Sequence, residues 1–346
     1  MFEEDEVRMP PKRRRPRLRD IAERLGISET AASFALNGKA GVSEETRRRV
    51  LEVVEEMQWA PNHAARMLSG AGSSMTVGLA VARSVRDVGS ELFFLRLITG
   101  IHTVLSGRHY GLLFQVVGSA EREIELYRRW AAENRVDGVV LVDLRIDDPR
   151  PRVVAKLDLP AIIAGGPDLG GTVPAVSIDD TAAMRRVAEH LSAKGHRRIA
   201  YVSGSASLLH VHRRIEAFLE AGREYGLETA DVSQTDFSAA ASVRATQRLL
   251  ATDWRPSAVI YDNEVLAVAG MGEIQAAGFR VPEDVAVVTC EDTPICEAVQ
   301  PPLTALHRDT WAFGAAVAEH LLNLIDGDLD AGAVEQVPEL VVRGST

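Results

Sequence analysis

From Thr76 onward, short β-rich runs alternate with segments of helix length, and this alternation restricts the fold more than any other feature of the chain. The runs are Val77–Ala82, Gly111–Val117, Gly138–Val142, Ala161–Ala164, Ile199–Ser203, Ala258–Tyr261 and Val285–Thr289. Between them lie amphipathic stretches such as Phe94–Val104, Glu121–Ala132, Ala182–Ala193, Arg213–Tyr225 and Val243–Leu250. Strands that alternate with helices predict parallel sheets covered by helices on both faces. About 270 residues is large for one such sheet, so the pattern predicts two similar lobes with a cleft between them. The first lobe is expected over 76–176 plus 308–330, and the second over 177–305 plus 332–346. Ligands of open α/β sheets sit at the carboxyl ends of the strands, which here face the cleft.

Ahead of this body lies a segment of different character. Leu18, Ile21, Ala22 and Leu25 recur at helical spacing, Gly26 supplies the backbone freedom of a sharp turn, and Ser28 is a natural N-cap for a second helix reaching Leu36. Two short helices so joined have the helix-turn-helix layout, whose second helix enters the DNA major groove. Glu29 and Thr30, first in that helix, are placed to reach base edges. After a loop at Asn37–Gly41, Ser43 caps a third helix in which Val50, Leu51, Val54 and Met57 form one apolar stripe; it ends near Trp59, ahead of Pro61. Pro61–Gly70 reads as one more short helix with a cap at Asn62, too short to be stable alone in water, and hence as a hinge. The expected organisation is a disordered basic arm over 1–16, a headpiece over 17–60, a hinge over 61–71 and a two-lobed body over 72–346.

Charge divides the chain in the same place. The net charge is −10, yet residues 8–70 carry 13 Lys/Arg against 8 Asp/Glu, and residues 71–346 carry 26 against 37. A small basic module is attached to a large acidic body. The densest basic run, Lys12–Arg19, is suited to tracking phosphates, and Arg47, Arg48 and Arg49 are phosphate candidates or a solvated helix face. No apolar run has the length of a membrane span, and the acidic Met1–Arg8 does not have the form of a secretory signal, so the expected compartment is the cytoplasm. Cys290 and Cys296 are too few for a disulfide framework or a cysteine-built zinc site.

Ile27-Ser28, Ser33, Leu36-Asn37, Val42-Ser43, Thr46-Arg47, Pro61-Asn62, Ala65 and Leu68 fall in the order and spacing of the bacterial lactose/galactose repressor (LacI/GalR) family. His190-Leu191, Gly195–Ile199, Asp262–Glu264, Val281–Val288, Pro301–Thr304 and Leu340–Thr346 match it in the body, so the chain resembles that family over roughly 17–346. The resemblance implies a helix-turn-helix headpiece on a two-lobed body like that of periplasmic sugar-binding proteins, type I-like. It adds Arg19, Ser28, Ser33, Phe34 and Asn37 to the expected DNA contacts in the headpiece, and Asn62, Ala65 and Leu68 in the hinge. In the family, paired hinge helices enter the minor groove and drive a leucine, here Leu68, between base pairs. Where relatives usually show Thr-Val-Ser-Arg, this chain has Ala31-Ala32-Ser33-Phe34, so no operator sequence transfers from a relative.

For the cleft, the resemblance implies effector contacts from Asp180, Arg214, Phe237, Asn263 and Glu291. A planar multi-donor fork such as Arg214 suits vicinal hydroxyls or a carboxylate. Glu291 and Glu264 stand where aspartate is usual, and Ser90–Phe94 lacks the Asn-Pro common in relatives. Enzyme motifs are absent: Gly165–Gly171 has neither phosphate-loop nor dinucleotide spacing, His210 and His212 lack metal-ligand companions and read as loop or helix-start residues, and no serine occupies a Gly-x-Ser-x-Gly elbow. The resemblance therefore implies a homodimeric transcriptional regulator, expected to be a repressor and not an enzyme, that needs no cofactor or metal, does not engage a membrane and binds a pseudo-palindromic operator in double-stranded DNA. It also implies that 72–346 is an effector-binding and dimerisation body for a small-molecule effector, by default a carbohydrate. The competing expectation is a cytoplasmic solute-binding or sensory module without DNA binding. Phe94, Leu97, Ile98 and Ile101 form an apolar stripe suited to a dimer face or to the core.

Overall fold

The computed structural model describes residues 16–36, 39–57, 59, 73–83, 89, 91–167, 170–229, 232–328 and 334–346. Residues 1–15 of the basic arm, the hinge segment over 61–71 and, with them, Asn37, Asn62, Ala65, Leu68 and Ser90 lie outside the described residues. The chain divides into two compact units, Met1–Ser73 and Ser74–Thr346.

In the first unit, α1 (Leu18–Leu25), α2 (Glu29–Leu36) and α3 (Glu44–Glu56) enclose Ile21, Ala35, Val50 and Val53. Gly26 closes α1 at φ 67°, a left-handed conformation that costs most residues a Cβ clash, and Ile27 N–H returns to the Ala22 carbonyl at 3.0 Å. Ser28 Oγ accepts from Ala31 N–H at 3.1 Å, and Ser43 Oγ from Thr46 N–H at 3.1 Å, so both expected caps form. The apolar stripe of α3 is shifted from expectation. Val53 is buried with Val50, whereas Leu51 is 51% exposed; one residue is about 100° on a helix, enough to move the stripe off Leu51.

In the second unit the first sheet has the order β12-β5-β4-β3-β1-β2 and is parallel throughout. Its strands are β1 (Thr76–Ala82), β2 (Gly111–Val117), β3 (Gly138–Leu141), β4 (Ala161–Gly165), β5 (Ala175–Ile178) and β12 (Val334–Gln336). The second sheet runs β13-β11-β10-β9-β6-β7, with β8 also pairing β6, and only β13 is antiparallel to its neighbour. Its strands are β6 (Arg198–Ser203), β7 (Glu228–Thr229), β8 (Ser233–Gln234), β9 (Ala258–Tyr261), β10 (Ala286–Thr289), β11 (Thr304–His307) and β13 (Glu339–Val341).

Helices cover the faces. Those on the first lobe are α4 (Leu92–Gly107), α5 (Ala120–Ala132), α6 (Arg150–Lys156) and α12 (Thr310–Ile325). The second lobe carries α7 (Asp180–Ala193), α8 (Leu209–Glu224), α9 (Ala239–Leu250), α10 (Glu264–Ala276) and the short α11 (Pro294–Ala298). The chain thus passes between lobes after β5, after β11 and between β12 and β13. Residues 177–178 and 334–336 therefore belong to the first lobe's sheet, not the second's: β5 runs to Ile178, and β12 pairs in parallel with it through Gln336↔Ile178.

Most of the stripe on α4 is core: Phe94, Leu97 and Ile101 are buried in one cluster with Phe313 and Val317 of α12, while Ile98 is half-buried. Gly100 and Gly314 make this crossing possible. A Cβ on Gly100 would stand 2.1 Å from the Trp311 carbonyl oxygen, and one on Gly314 2.4 Å from that of Leu97, so the two backbones meet without an intervening side chain.

Candidate functional site

On the headpiece, Ser28, Glu29 and Thr30 are exposed at the start of α2, while Ser33 and Phe34 are half-buried. The Phe34 ring lies beside Gly41, so it braces the loop after α2. Arg47 reaches the Lys39 carbonyl in that same loop at 3.3 Å. Arg48 bridges Glu45 and Glu52, each at 2.8 Å, and Arg19 pairs with Glu23 at 2.6 Å. Such exposed pairs are worth little in water and exchange readily for phosphate oxygens.

In the second unit a cavity opens between the lobes. It is built where the β-strands end, as the fold requires. Arg83 follows β1, Asp143 lies just beyond β3, Asp262 and Asn263 follow β9, Glu291 lies just beyond β10 and Arg308 follows β11. The lobes also touch directly. Leu209 N–H donates to the Leu144 carbonyl at 2.7 Å, and Arg96 Nη1 to the Asp292 carbonyl at 3.1 Å.

Arg214, on α8, is held by two buried carboxylates. Its Nε donates to Asp180 Oδ1 and its Nη1 to Asp262 Oδ1, both at 2.8 Å. Tyr201 and the Gly204 amide complete the grip on Asp262 at 2.9 and 2.8 Å. Burial pushes the Asp262 carboxyl up, but Arg214, His210 and the Gly204 amide outweigh it and hold the group below its ordinary range. Burial likewise disfavours the Arg214 cation, yet Asp180 and Asp262 leave its pKa well raised. The pair is therefore fixed in its charged form, with Arg214 Nη2 lacking a protein acceptor among the described residues.

Three further polar atoms of wall residues, Asp180 Oδ2, Asn263 Nδ2 and Arg308 Nε, are buried without a partner among the described residues. An unsatisfied buried donor or acceptor costs about 1–3 kcal/mol, so this cavity has unused capacity to bind a polar guest. Asn263 Oδ1 is occupied, capping α10 at Leu266 N–H, 2.9 Å away. Apolar surface comes from Phe93, Phe237, Leu144 and Leu209. Phe237 has φ 65°, uncommon for a bulky residue, and its ring packs on Gly204, where a Cβ would come within 1.9 Å of it.

Asp180, Arg214, Phe237, Asn263 and Glu291 thus all line one cavity. Sequence reasoning did not select Arg83, Glu91, Phe93, Asp143, His210, Asp262 or Arg308, which line it too. The signal was available for Arg83, Asp262 and Arg308, since each immediately follows a β-strand. His210 is at the start of α8, as expected, and His212 pairs with Glu216 at 3.3 Å. Among the described residues no group of three or more His, Cys, Asp or Glu is placed to hold a metal ion, and no helix is long and apolar enough to cross a membrane.

A helix-turn-helix headpiece carried in one chain with a two-lobed body and a polar interlobe cavity defines the class of ligand-responsive DNA-binding regulators. Residues 17–62 match the bacterial regulatory proteins of the lacI family, and 188–346 match the periplasmic binding protein-like domain. The chain is 33% identical to the HTH-type transcriptional regulator CelR of Thermobifida fusca over 324 residues, 92% of this chain and 94% of that protein. A CelR–cellobiose complex superposes with a TM-score of 0.72 at 30% identity, covering 96% of this chain and all of that one. A lac repressor dimer bound to operator and the anti-inducer ONPF shares the fold, with a TM-score of 0.83 at 24% identity over 96% of this chain and 99% of that one. The chain belongs to the lacI family: it is a DNA-binding transcriptional regulator, and its relatives are regulators, not enzymes.

Proposed function

We propose that the protein is a cytoplasmic repressor that binds a pseudo-palindromic operator as a homodimer and changes its operator affinity when a sugar or sugar derivative occupies the interlobe cavity. The observation that carries the effector half is the set of uncommitted polar atoms on the residues of one cavity: Arg214 Nη2, Arg308 Nε, Asp180 Oδ2 and Asn263 Nδ2. Three donors and an acceptor beside the Phe93 and Phe237 rings match a pyranose, which presents hydroxyls at its rim and C–H groups on its face. The binding of cellobiose by a relative supports the same class.

In this reading Asp180, Arg214, Phe237, Asn263 and Glu291 hold the effector. Arg19, Ser28, Glu29, Thr30, Ser33, Phe34 and Asn37 meet the half-site, and Asn62, Ala65 and Leu68 meet the operator centre. The effector contacts both lobes, so it favours their closed arrangement by its differential affinity for that state, and DNA affinity follows the same equilibrium. Calorimetric titration of the protein with mono- and disaccharides tests the effector assignment. Saturable one-to-one binding that Asn263→Ala weakens is expected; binding unaffected by Asn263→Ala and Arg214→Met would move the effector elsewhere.

A further inference from the structure

The cavity walls are not electrically balanced. Arg83 pairs with Glu91 and Asp143, each at 2.6 Å. Arg214 takes Asp180 and Asp262, and Arg308 takes Glu291 alone. Three guanidiniums thus serve five carboxylates, and a sixth, Glu264, has no ion pair among the described residues although it is only 6% exposed. Backbone N–H groups, its own and that of Leu92 from the opposite lobe, favour the ionised form of Glu264 but do not outweigh its burial. His210 adds no compensation, since burial and then Arg214 lower its pKa and leave it neutral near pH 7. The interior therefore holds six acidic side chains against three guanidiniums before any ligand enters. Buried charge without a partner is costly and attracts a counter-charge.

We propose that the effector is cationic, an amino sugar with a free amine, whose ammonium group is received by Glu264 and Glu291 while its hydroxyls take the uncommitted atoms of Asp180, Asn263 and Arg214. This inference rests on the sugar reading above. Asp180 Oδ2 and Asn263 Nδ2, buried and unpartnered, establish independently of the charge count that the cavity is made for a guest. The guest is organic, because Phe93, Phe237, Leu144 and Leu209 supply an apolar surface and no metal-holding cluster is present among the described residues. An ammonium group offers three donors and a full charge, which a hydroxyl does not. Titration behaviour agrees: burial, then the neighbouring Glu291, raises Glu264 to about 7, and burial raises Glu91 to about 8 against the pull of Arg83. In both, burial outweighs the pull of the guanidiniums nearby. Glutamate at 264 and 291, both 6% exposed, lines the interior with carboxylates on longer stems than aspartate provides.

The test is calorimetric titration of the full-length protein with matched sugars: glucosamine and chitosan disaccharide against glucose, N-acetylglucosamine and cellobiose. Amine forms are expected to bind at least tenfold more tightly than their hydroxyl or acetamido counterparts. Glu264→Gln, confirmed folded by circular dichroism, is expected to bring that ratio near one, and Glu291→Gln to reduce it. If the neutral sugars bind as tightly or more tightly, the cation preference is overturned and the sugar reading stands. An amine preference unchanged in both variants overturns the role of Glu264 and Glu291. If no sugar of either set binds, both the preference and the sugar reading fall.

Discussion

The guanidinium of Arg83 lies over the ring of Phe237, 4.8 Å from its centroid, and so joins the residue after strand β1 of the first lobe to a loop of the second. The same guanidinium is anchored within its own lobe by Glu91 and Asp143, so its position is set before it meets Phe237. A cation over an aromatic face contributes about 0.5–2 kcal/mol. Phe237→Leu keeps most of the volume and removes the quadrupole. Effector affinity is expected to fall roughly 2- to 30-fold, read by calorimetry with a sugar that the parent protein binds; undiminished affinity would remove this contact from the closing mechanism.

Arg214 is the only cation paired with Asp180 and Asp262 among the described residues, and both carboxylates are about 1% exposed. Arg214→Met strands them. Breaking one partner from a buried pair costs about 3–5 kcal/mol, so Tm is expected to fall by about 10 °C. Adding Asp262→Asn removes one orphaned charge and should recover part of the loss. No recovery in the double variant would assign the stability to packing around the arginine stem instead.

Glu264 makes the body less stable as the solution becomes more basic. Its carboxyl is raised from 4.5 to about 7 in the folded chain, first by burial and then by Glu291. The folded state thus retains a proton that the unfolded state has lost, and the stability this brings is complete below pH 4.5 and lost as pH rises through about 7. A shift of this size corresponds to a loss on the order of 3 kcal/mol. Thermal melts of the effector-free protein between pH 5 and pH 8 should show Glu264→Gln losing less stability than the parent. Parallel pH profiles would show that Glu264 does not titrate in this range.

Leu68 tests the DNA half of the reading. As a wedge between base pairs it acts only on a site that can be kinked. Leu68→Ala should weaken binding to the specific operator at least tenfold while leaving non-specific binding to a scrambled duplex unchanged, measured by fluorescence anisotropy at fixed salt. Equal losses on both duplexes would remove the wedge.

Most of the strands were legible because their apolar runs are bounded by turn residues: Gly111–Val117 and Ala258–Tyr261 form as the pattern predicts. What the sequence did not reveal depends on partners distant in the chain. Val334–Gln336 is a strand only because β5 offers it an edge, and nothing in three residues encodes which lobe supplies it. Leu51 belongs to the local apolar stripe of α3, but Val53 takes the buried position against α1 and α2. In the cavity, the residues Asp180, Arg214, Phe237, Asn263 and Glu291 were legible by resemblance. Asp262 and Arg83 were not selected, because an acid or a base after a strand is ordinary until its counter-ion is known to lie across 48 residues for Arg214 or 60 for Asp143.

The most direct measurement is the affinity of the full-length protein for an operator fragment recovered by genome-wide mapping of bound DNA, titrated with and without a sugar that occupies the cavity. A pseudo-palindromic fragment should bind far more tightly than its scrambled form, with an affinity that saturating sugar changes at least tenfold. The fragment should in turn change sugar affinity by the same factor, as linkage requires. Operator affinity that stays constant at every sugar concentration, or that equals the affinity for scrambled DNA, would contradict effector-controlled, sequence-specific binding.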